Sequence, residues 1–194
     1  MKAGLAAMAY TLAGIRRAVG DDLVIGLATS VDASTPVAMQ VDQLCEIVGW
    51  HDERELMDYV TCGTGSYFNF GEIMPTFQFA DKLGVEAAAA LKSVVRFAKV
   101  QCESHVRTPE NADAVIGAGQ ADMVSIVRGQ IADPYLVNKA LAGRPEDVRG
   151  CISCNQMCWG RRSRDYWISC LVNPSAGREF EWGGDTFEPA AEPK

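Results

Sequence analysis

Residues 98–127 read AKVQCESHVRTPENADAVIGAGQADMVSIV, and this stretch decides the fold. Ala98–Cys102 is a short apolar run of buried-strand type. Thr108-Pro109-Glu110 is a helix-start signal with proline in the first turn, so Glu110–Ala118 reads as a helix. Ala121–Val127 is a second buried strand. A strand, a helix and a strand joined this tightly pair in parallel, because parallel neighbours need a crossover connection. The pattern extends in both directions. Upstream, a helix over about 3–19 stops at Gly20 and is followed by a strand over Leu23–Thr29. Thr35-Pro36 then opens a segment with Met39, Val41, Leu44 and Ile47 at helical spacing, and Met57–Cys62 reads as a strand. A Gly-rich loop spans Gly63–Gly71, and Ala87–Phe97 is an Ala-rich helix. Downstream, Asp133-Pro134 caps a helix that stops near Gly143. Four alternations predict an α/β fold with a parallel sheet, either doubly wound or a β/α barrel.

Beyond the last helix, GCISCNQMCWGRRSRDYWISC places Cys151, Cys154, Cys158 and Cys170 in the spacing C-x2-C-x3-C-x11-C. Soft thiolate sets select zinc or an iron–sulfur cluster. Structural zinc sites pair two short knuckles, whereas three ligands in one loop plus a lone fourth resemble the runs that wrap iron–sulfur cubanes. The spacing therefore favours a cluster, with a zinc-stabilised, non-catalytic module as the alternative. Cys45, Cys62 and Cys102 lie in apolar surroundings and are expected as small core residues.

With 194 residues, 48% of them hydrophobic and 22% charged, the chain has material for one ordinary core. A net charge of −7 offers no basic stripe for phosphates, which argues against a nucleic-acid partner. Arg161, Arg162 and Arg164 cluster inside the cysteine segment and read as a solvated loop face. No run approaches the roughly 18 apolar residues of a membrane span. The N-terminus reads as a helix, so a cytoplasmic location with reduced thiols is expected. Residues 181–194, EWGGDTFEPAAEPK, look like a linker or tail.

Three stretches together resemble a known family: Gln120–Pro134, Gly150–Cys158 and Ser169-Cys-Leu-Val-Asn-Pro174. They are similar to the NADH:flavin oxidoreductases of the old yellow enzyme superfamily. The closer likeness is to the iron–sulfur branch containing 2,4-dienoyl-CoA reductase and trimethylamine dehydrogenase. The resemblance implies the C-terminal half of a TIM (β/α)8 barrel, about strands five to eight, over residues 1–149. A 4Fe-4S cluster segment over 150–180 and the tail over 181–194 would follow. It also implies FMN at the barrel mouth, and FAD or NAD(P)H through a further domain, for which no G-x-G-x-x-G stands in this chain. Four units cannot close a barrel. The chain is accordingly expected as a fragment or split subunit, completed by missing segments or a partner chain. A half-barrel would leave strand edges and an apolar inner face open. A small-molecule substrate and an electron-accepting domain or protein complete the implied partners.

The resemblance implies roles for individual residues. Arg128, preceded by Val127, occupies the family's FMN-phosphate arginine position. Ser104-His105 stands where the family carries Gly-Arg or Asn-Arg after strand seven. Cys151, Cys154, Cys158 and Cys170 would hold the cluster. Ala28 falls where an arginine near the flavin is usual. Tyr67 stands where the reductases carry a histidine near substrate, a phenol able to orient or protonate it, or to line an amine pocket with Phe68 and Phe70. Asp58 is a further candidate carboxylate. The implied reaction is oxidation of an N-methylated amine or amino acid, with electrons passing from flavin to cluster. Reduction of an enoyl thioester or enone is the alternative.

Overall fold

In a computed structural model that describes residues 2–183, the alternation is present. Its elements are α1 (Lys2–Val19), β1 (Gly26–Val31), α2 (Val41–Asp52), β2 (Tyr59–Thr64), α3 (Phe70–Ile73), α4 (Val85–Lys92), β3 (Lys99–Cys102), α5 (Pro109–Gly117) and β4 (Met123–Val124). All strand pairs are parallel, in the order β1-β2-β3-β4. A doubly wound sheet reverses its strand order at a switch point. This sheet advances in one direction without reversal, which is barrel-type winding and settles the choice left open by the sequence.

Period-two alternation decides which face is covered. Leu27, Val60 and Val100 share one register line, and Cys62 and Cys102 another. Except for the marginally accessible Leu27, all are completely buried. Opposing them from the helices are Leu44 and Val48 of α2, Ala88 and Leu91 of α4, and Val115 of α5. Cys62 and Cys102 are the expected core cysteines, their thiols pushed up to about 11 chiefly by burial; Cys45 is only half-buried. Leu91 has no exposed surface. Leu91→Ala is expected to cost about 2–5 kcal/mol, read as a lowered denaturant midpoint at unchanged slope.

The opposite face departs from expectation. It carries Gly26, Ala28 and Ser30 from β1, Thr61 and Gly63 from β2, and Lys99 and Gln101 from β3. Small and polar residues therefore stand where an apolar inner face was predicted. Tyr59 supplies the main bulk there, lying across Gly26 so closely that a Cβ at Gly26 would sit 2.1 Å from the ring. Only a glycine fits beneath it.

Three side chains tie crossovers to strands. Asp52, buried at the end of α2, accepts the amides of Arg96 (2.6 Å) and Ala98 (2.7 Å) and fixes the entry to β3. Asp122 accepts the Val100 amide at 2.9 Å and pairs with Lys92 of α4 at 2.6 Å. Asp58 accepts the Ile25 amide at 2.6 Å and pairs with Arg16 of α1 at 2.6 Å.

Contact density divides the chain into two compact units. One is most of the chain to Ser125, holding the whole sheet. The other comprises 76–78, 107–110 and the chain from Ile126 onward. The helices after β4 thus group with the cysteine segment, so the division comes earlier than residue 149. Within the second unit are α6 (Arg128–Ala132), α7 (Leu136–Leu141), a 3-10 turn (Pro145–Asp147), α8 (Trp159–Arg162) and α9 (Glu179–Trp182). Of the expected tail, Glu181 and Trp182 belong to α9, and residues 184–194 lie outside the described residues. No described helix is long and apolar enough to cross a membrane.

Candidate metal centre

Two buried polar side chains fix the ends of the cysteine segment. Asp133, just after α6, is wholly buried; its carboxylate accepts the Tyr135 amide (3.0 Å), the Arg149 amide (2.9 Å) and Lys139 Nζ (2.8 Å). It thereby anchors the chain two residues before Cys151. Asn173, three residues after Cys170, is equally buried. Its Nδ2 donates to the Ile131 carbonyl of α6 at 2.9 Å, and its Oδ1 accepts from Arg149 Nη1 (3.0 Å) and the Ser175 amide (3.1 Å). Both ends of the segment are therefore held at one short helix.

Between these anchors the backbone turns sharply. Ser153 and Asn155 take left-handed φ values of 53° and 55°, which wraps the loop around its thiols. The Ser153 amide donates to Cys151 Sγ at 3.4 Å, an N–H···S contact of the kind that tunes thiolate-bound clusters. Ser169 donates its amide to the Met157 carbonyl at 3.1 Å, bringing the segment that carries Cys170 alongside the one that carries Cys158. Gly177, with φ +79°, approaches the Ile168 carbonyl so nearly that a Cβ would lie 2.1 Å from it.

Cys151, Cys154, Cys158 and Cys170 all line one small cavity, with Ile131, Ile152, Met157, Leu171 and Val172 as its apolar wall. The four thiols, reduced and half-buried, are a soft donor set suited to thiolate-ligated metal. Burial pushes the Cys158 thiol above its ordinary value, so metal binding there must release a proton. Among the described residues, no three His, Cys, Asp or Glu side chains close on a point as a single ion requires. Four thiols around a shared cavity suit a thiolate-ligated metal, zinc or an iron–sulfur cluster.

Arg128, the first residue of α6, lines the same cavity and donates to Asn155 Oδ1 at 2.6 Å. Val127 precedes it, largely exposed. Arg107 donates to the Cys151 carbonyl at 2.9 Å. In the other unit, Ser104 and His105 follow β3, both with left-handed φ, 67° and 64°. Ser104 Oγ accepts the Thr64 amide at 3.0 Å, and His105 Nδ1 meets the Ala80 carbonyl at 3.0 Å. Their side chains thus brace loops at the C-terminal ends of β2 and β3. Glu103, next to them, has its carboxyl pushed above the usual range by burial.

The structure corrects Asp58 as a candidate. It precedes β2, at the end of the sheet opposite the loops that follow the strands, and its carboxylate is taken by Ile25 and Arg16. Those bonds, the Ile25 amide first and then the Arg16 guanidinium, hold its pKa below the usual aspartate range against an opposing effect of burial. The stabilisation is therefore full above the unfolded value, near 4, and is lost as pH falls through the folded one. Asp58→Asn is expected to cost about 1 kcal/mol or less at neutral pH. In urea titrations the difference from wild type should shrink progressively as pH falls below about 4. Tyr67 stands 93% exposed in the loop after β2 and Phe68 77% exposed beside it, so within this chain they do not build an enclosed pocket. Arg162 and Arg164 are solvated as expected, while Arg161 Nε donates to the Trp167 carbonyl at 2.8 Å. Sequence reasoning missed Arg107, Asp133 and Asn173. Only Asp133-Pro134 and Asn173-Pro174 gave a local sign, each an Asx-Pro turn.

The chain thus combines a parallel α/β sheet of barrel winding with a four-cysteine cavity. No family model matches the chain. It is 32% identical over 173 residues to a metal reductase of Desulforamulus reducens, covering 86% of this chain and 23% of that protein. It is 25% identical over 186 residues to an N,N-dimethylglycine/sarcosine dehydrogenase of Chromohalobacter salexigens, covering 94% and 26%. Among solved structures, a 2-naphthoyl-CoA reductase superposes with a TM-score of 0.81 at 27% identity, over 91% of this chain and 27% of that one. Over part of their length the chain matches old yellow enzyme-like iron–sulfur flavoenzymes, oxidoreductases of which related members use FMN and 4Fe-4S clusters. It spans about a quarter of the length of these relatives.

Proposed function

We propose that this chain is the second half-barrel and cluster-bearing part of an oxidoreductase acting on an N-methylated amine or amino acid. The observation that carries this reading is the cavity walled by Cys151, Cys154, Cys158 and Cys170, with Arg128 of α6 on its rim. When bound, FMN supplies hydride-equivalent chemistry with substrate and the cluster supplies single-electron transfer. The chain's own residues bind and position. The cysteines hold the metal, and Asp133 and Asn173 hold the cysteines. Arg128, with Val127 before it, is assigned to the flavin phosphate, to which it would offer its guanidinium. In the unit that holds the sheet, the Ser104-His105 turn is assigned to backbone contacts with the flavin. Tyr67 is assigned to the substrate side, completed by the remainder of the barrel from further segments or a partner chain. An electron acceptor, and FAD or NAD(P)H on a further domain, would complete the path. The amine class is supported by the dimethylglycine/sarcosine dehydrogenase match, which runs through 94% of the chain.

Reduction of an unsaturated acyl thioester is the second reading, favoured by the superposition on a 2-naphthoyl-CoA reductase. The test is anaerobic. Protein purified with its neighbouring segments should contain roughly four iron and four sulfide per chain, and its flavin should bleach on addition of N,N-dimethylglycine. Bleaching only by NADH, with colour restored by a 2-enoyl thioester, would replace the first reading by the second. Zinc without iron would sink both.

A further inference from the structure

Two arginines from separate segments converge on the cysteine loop, and neither contact follows from ligand spacing. Arg107 Nη1 donates to the carbonyl of Cys151, the first ligand, at 2.9 Å. Arg128 Nη1 donates at 2.6 Å to Oδ1 of Asn155, which stands between the second and third ligands. The packing that brings them together is specific. Gly129 is buried at the start of α6, and a Cβ there would lie 2.5 Å from the Arg107 carbonyl. Only a glycine lets the Arg107 backbone approach the helix that carries Arg128. Both arginines are half-buried, so their charges are screened less than surface charges would be. Among the described residues that line the cavity, Arg128 is the one basic side chain and none is a carboxylate.

We propose that Arg107 and Arg128 are positioning residues that clamp the cysteine loop and raise the reduction potential of the group it holds. This rests on the cluster reading of the four cysteines. Four thiolates make that site anionic, and each electron accepted adds a further negative charge. Two fixed guanidinium charges at the loop favour the more negative state, by the same physics through which surrounding charge and hydrogen bonds set cluster potentials. Arg107 acts through the ligand backbone and Arg128 through Asn155, each keeping its charge at the cavity. Guanidinium suits this position because it stays charged at any working pH and its planar fork is held in place by its hydrogen bonds.

The experiment is a potentiometric titration of the full chain, anaerobically loaded with iron and sulfide and read by electron paramagnetic resonance, with iron counted for every variant. Arg107→Gln is expected to keep its iron, while its reduced-to-oxidised ratio at the wild-type midpoint falls roughly tenfold, which is about 59 mV for one electron. Arg107→Lys, which keeps the charge, should shift much less. Arg128→Gln should fall in the same direction as Arg107→Gln. An iron-replete Arg107→Gln with the wild-type midpoint would overturn the proposal, as would a lysine variant shifted as far as the glutamine one. If Arg107→Gln does not hold iron, Arg128→Gln decides by the same criterion. Loss of iron from both would assign the arginines to holding the loop alone and overturn their effect on potential. Wild-type chain that takes up no iron is a different result, because it removes the cluster reading itself.

Discussion

Asp133→Ala is expected to be the most damaging single substitution outside the ligand set. The wild-type carboxylate is buried and shared by the ammonium of Lys139 and the amides of Tyr135 and Arg149. Removing it takes the counter-charge from Lys139, itself only 13% exposed, whose Nζ keeps a hydrogen bond to the Asp147 carbonyl (3.3 Å), and leaves two backbone donors without their acceptor. Breaking a buried pair in this way costs about 3–5 kcal/mol, a large part of the roughly 5–15 kcal/mol that holds a domain folded. Because Arg149 leads directly into Cys151, the loss should appear as lowered metal content as well as a lower melting temperature. Asp133→Asn keeps an acceptor and should recover part of both. Equal metal content in the alanine variant and wild type would show that the loop does not depend on this anchor.

Cys170→Ser is expected to remove most of the bound metal while leaving the protein folded. Cys170 is the one member of the proposed ligand set outside the Cys151–Cys158 loop, and the contact between Ser169 and Met157 brings its segment to the cavity. A serine preserves that backbone contact and the anchor at Asn173 but replaces a soft thiolate by a hard oxygen, a poor ligand for iron bound through sulfur. The measurement is iron per chain alongside far-ultraviolet circular dichroism. Iron should fall well below the wild-type level with the spectrum unchanged. Retention of the full complement would show that another residue serves as the fourth ligand.

The elements that the sequence made legible are those whose signal is local. Helix α5 begins at Pro109, as the Thr-Pro-Glu signal requires, and the strand read over Ala98–Cys102 starts one residue later, at Lys99, and ends where expected. Long-range capture moved the others. The helix expected to run to Phe97 stops at Lys92, because Asp52 takes the amides of Arg96 and Ala98 for the approach to β3. The first strand starts at Gly26 rather than Leu23, because Leu23 and Val24 are exposed and pairing with β2 starts at Tyr59. The last strand shrinks to Met123–Val124 because β3 offers so short an edge.

At the site, ligand spacing is a property of one short segment, and the four thiols do line a common cavity. What holds them there is not local. Asp133 reaches 16 residues to Arg149, and Arg149 reaches 24 to Asn173; such contacts have no period or motif to betray them. Asp58 already stands at the start of the strand read over Met57–Cys62; what the fold adds is its partners, the Ile25 amide and Arg16.

The two anchors at α6 separate the order of events in maturation. A small metal domain without such ties gathers its ligands only as the metal binds, so that it is unfolded when empty. Here the entry and exit of the loop are pinned by an aspartate and an asparagine that need no metal, so the entropy of closing the loop is met by ordinary protein contacts. Folding can therefore finish first. On the proposed cluster reading, the emptied or newly made chain would stand ready as an acceptor for a preassembled cofactor, and damage to the metal by oxygen would not commit the polypeptide to unfolding or degradation.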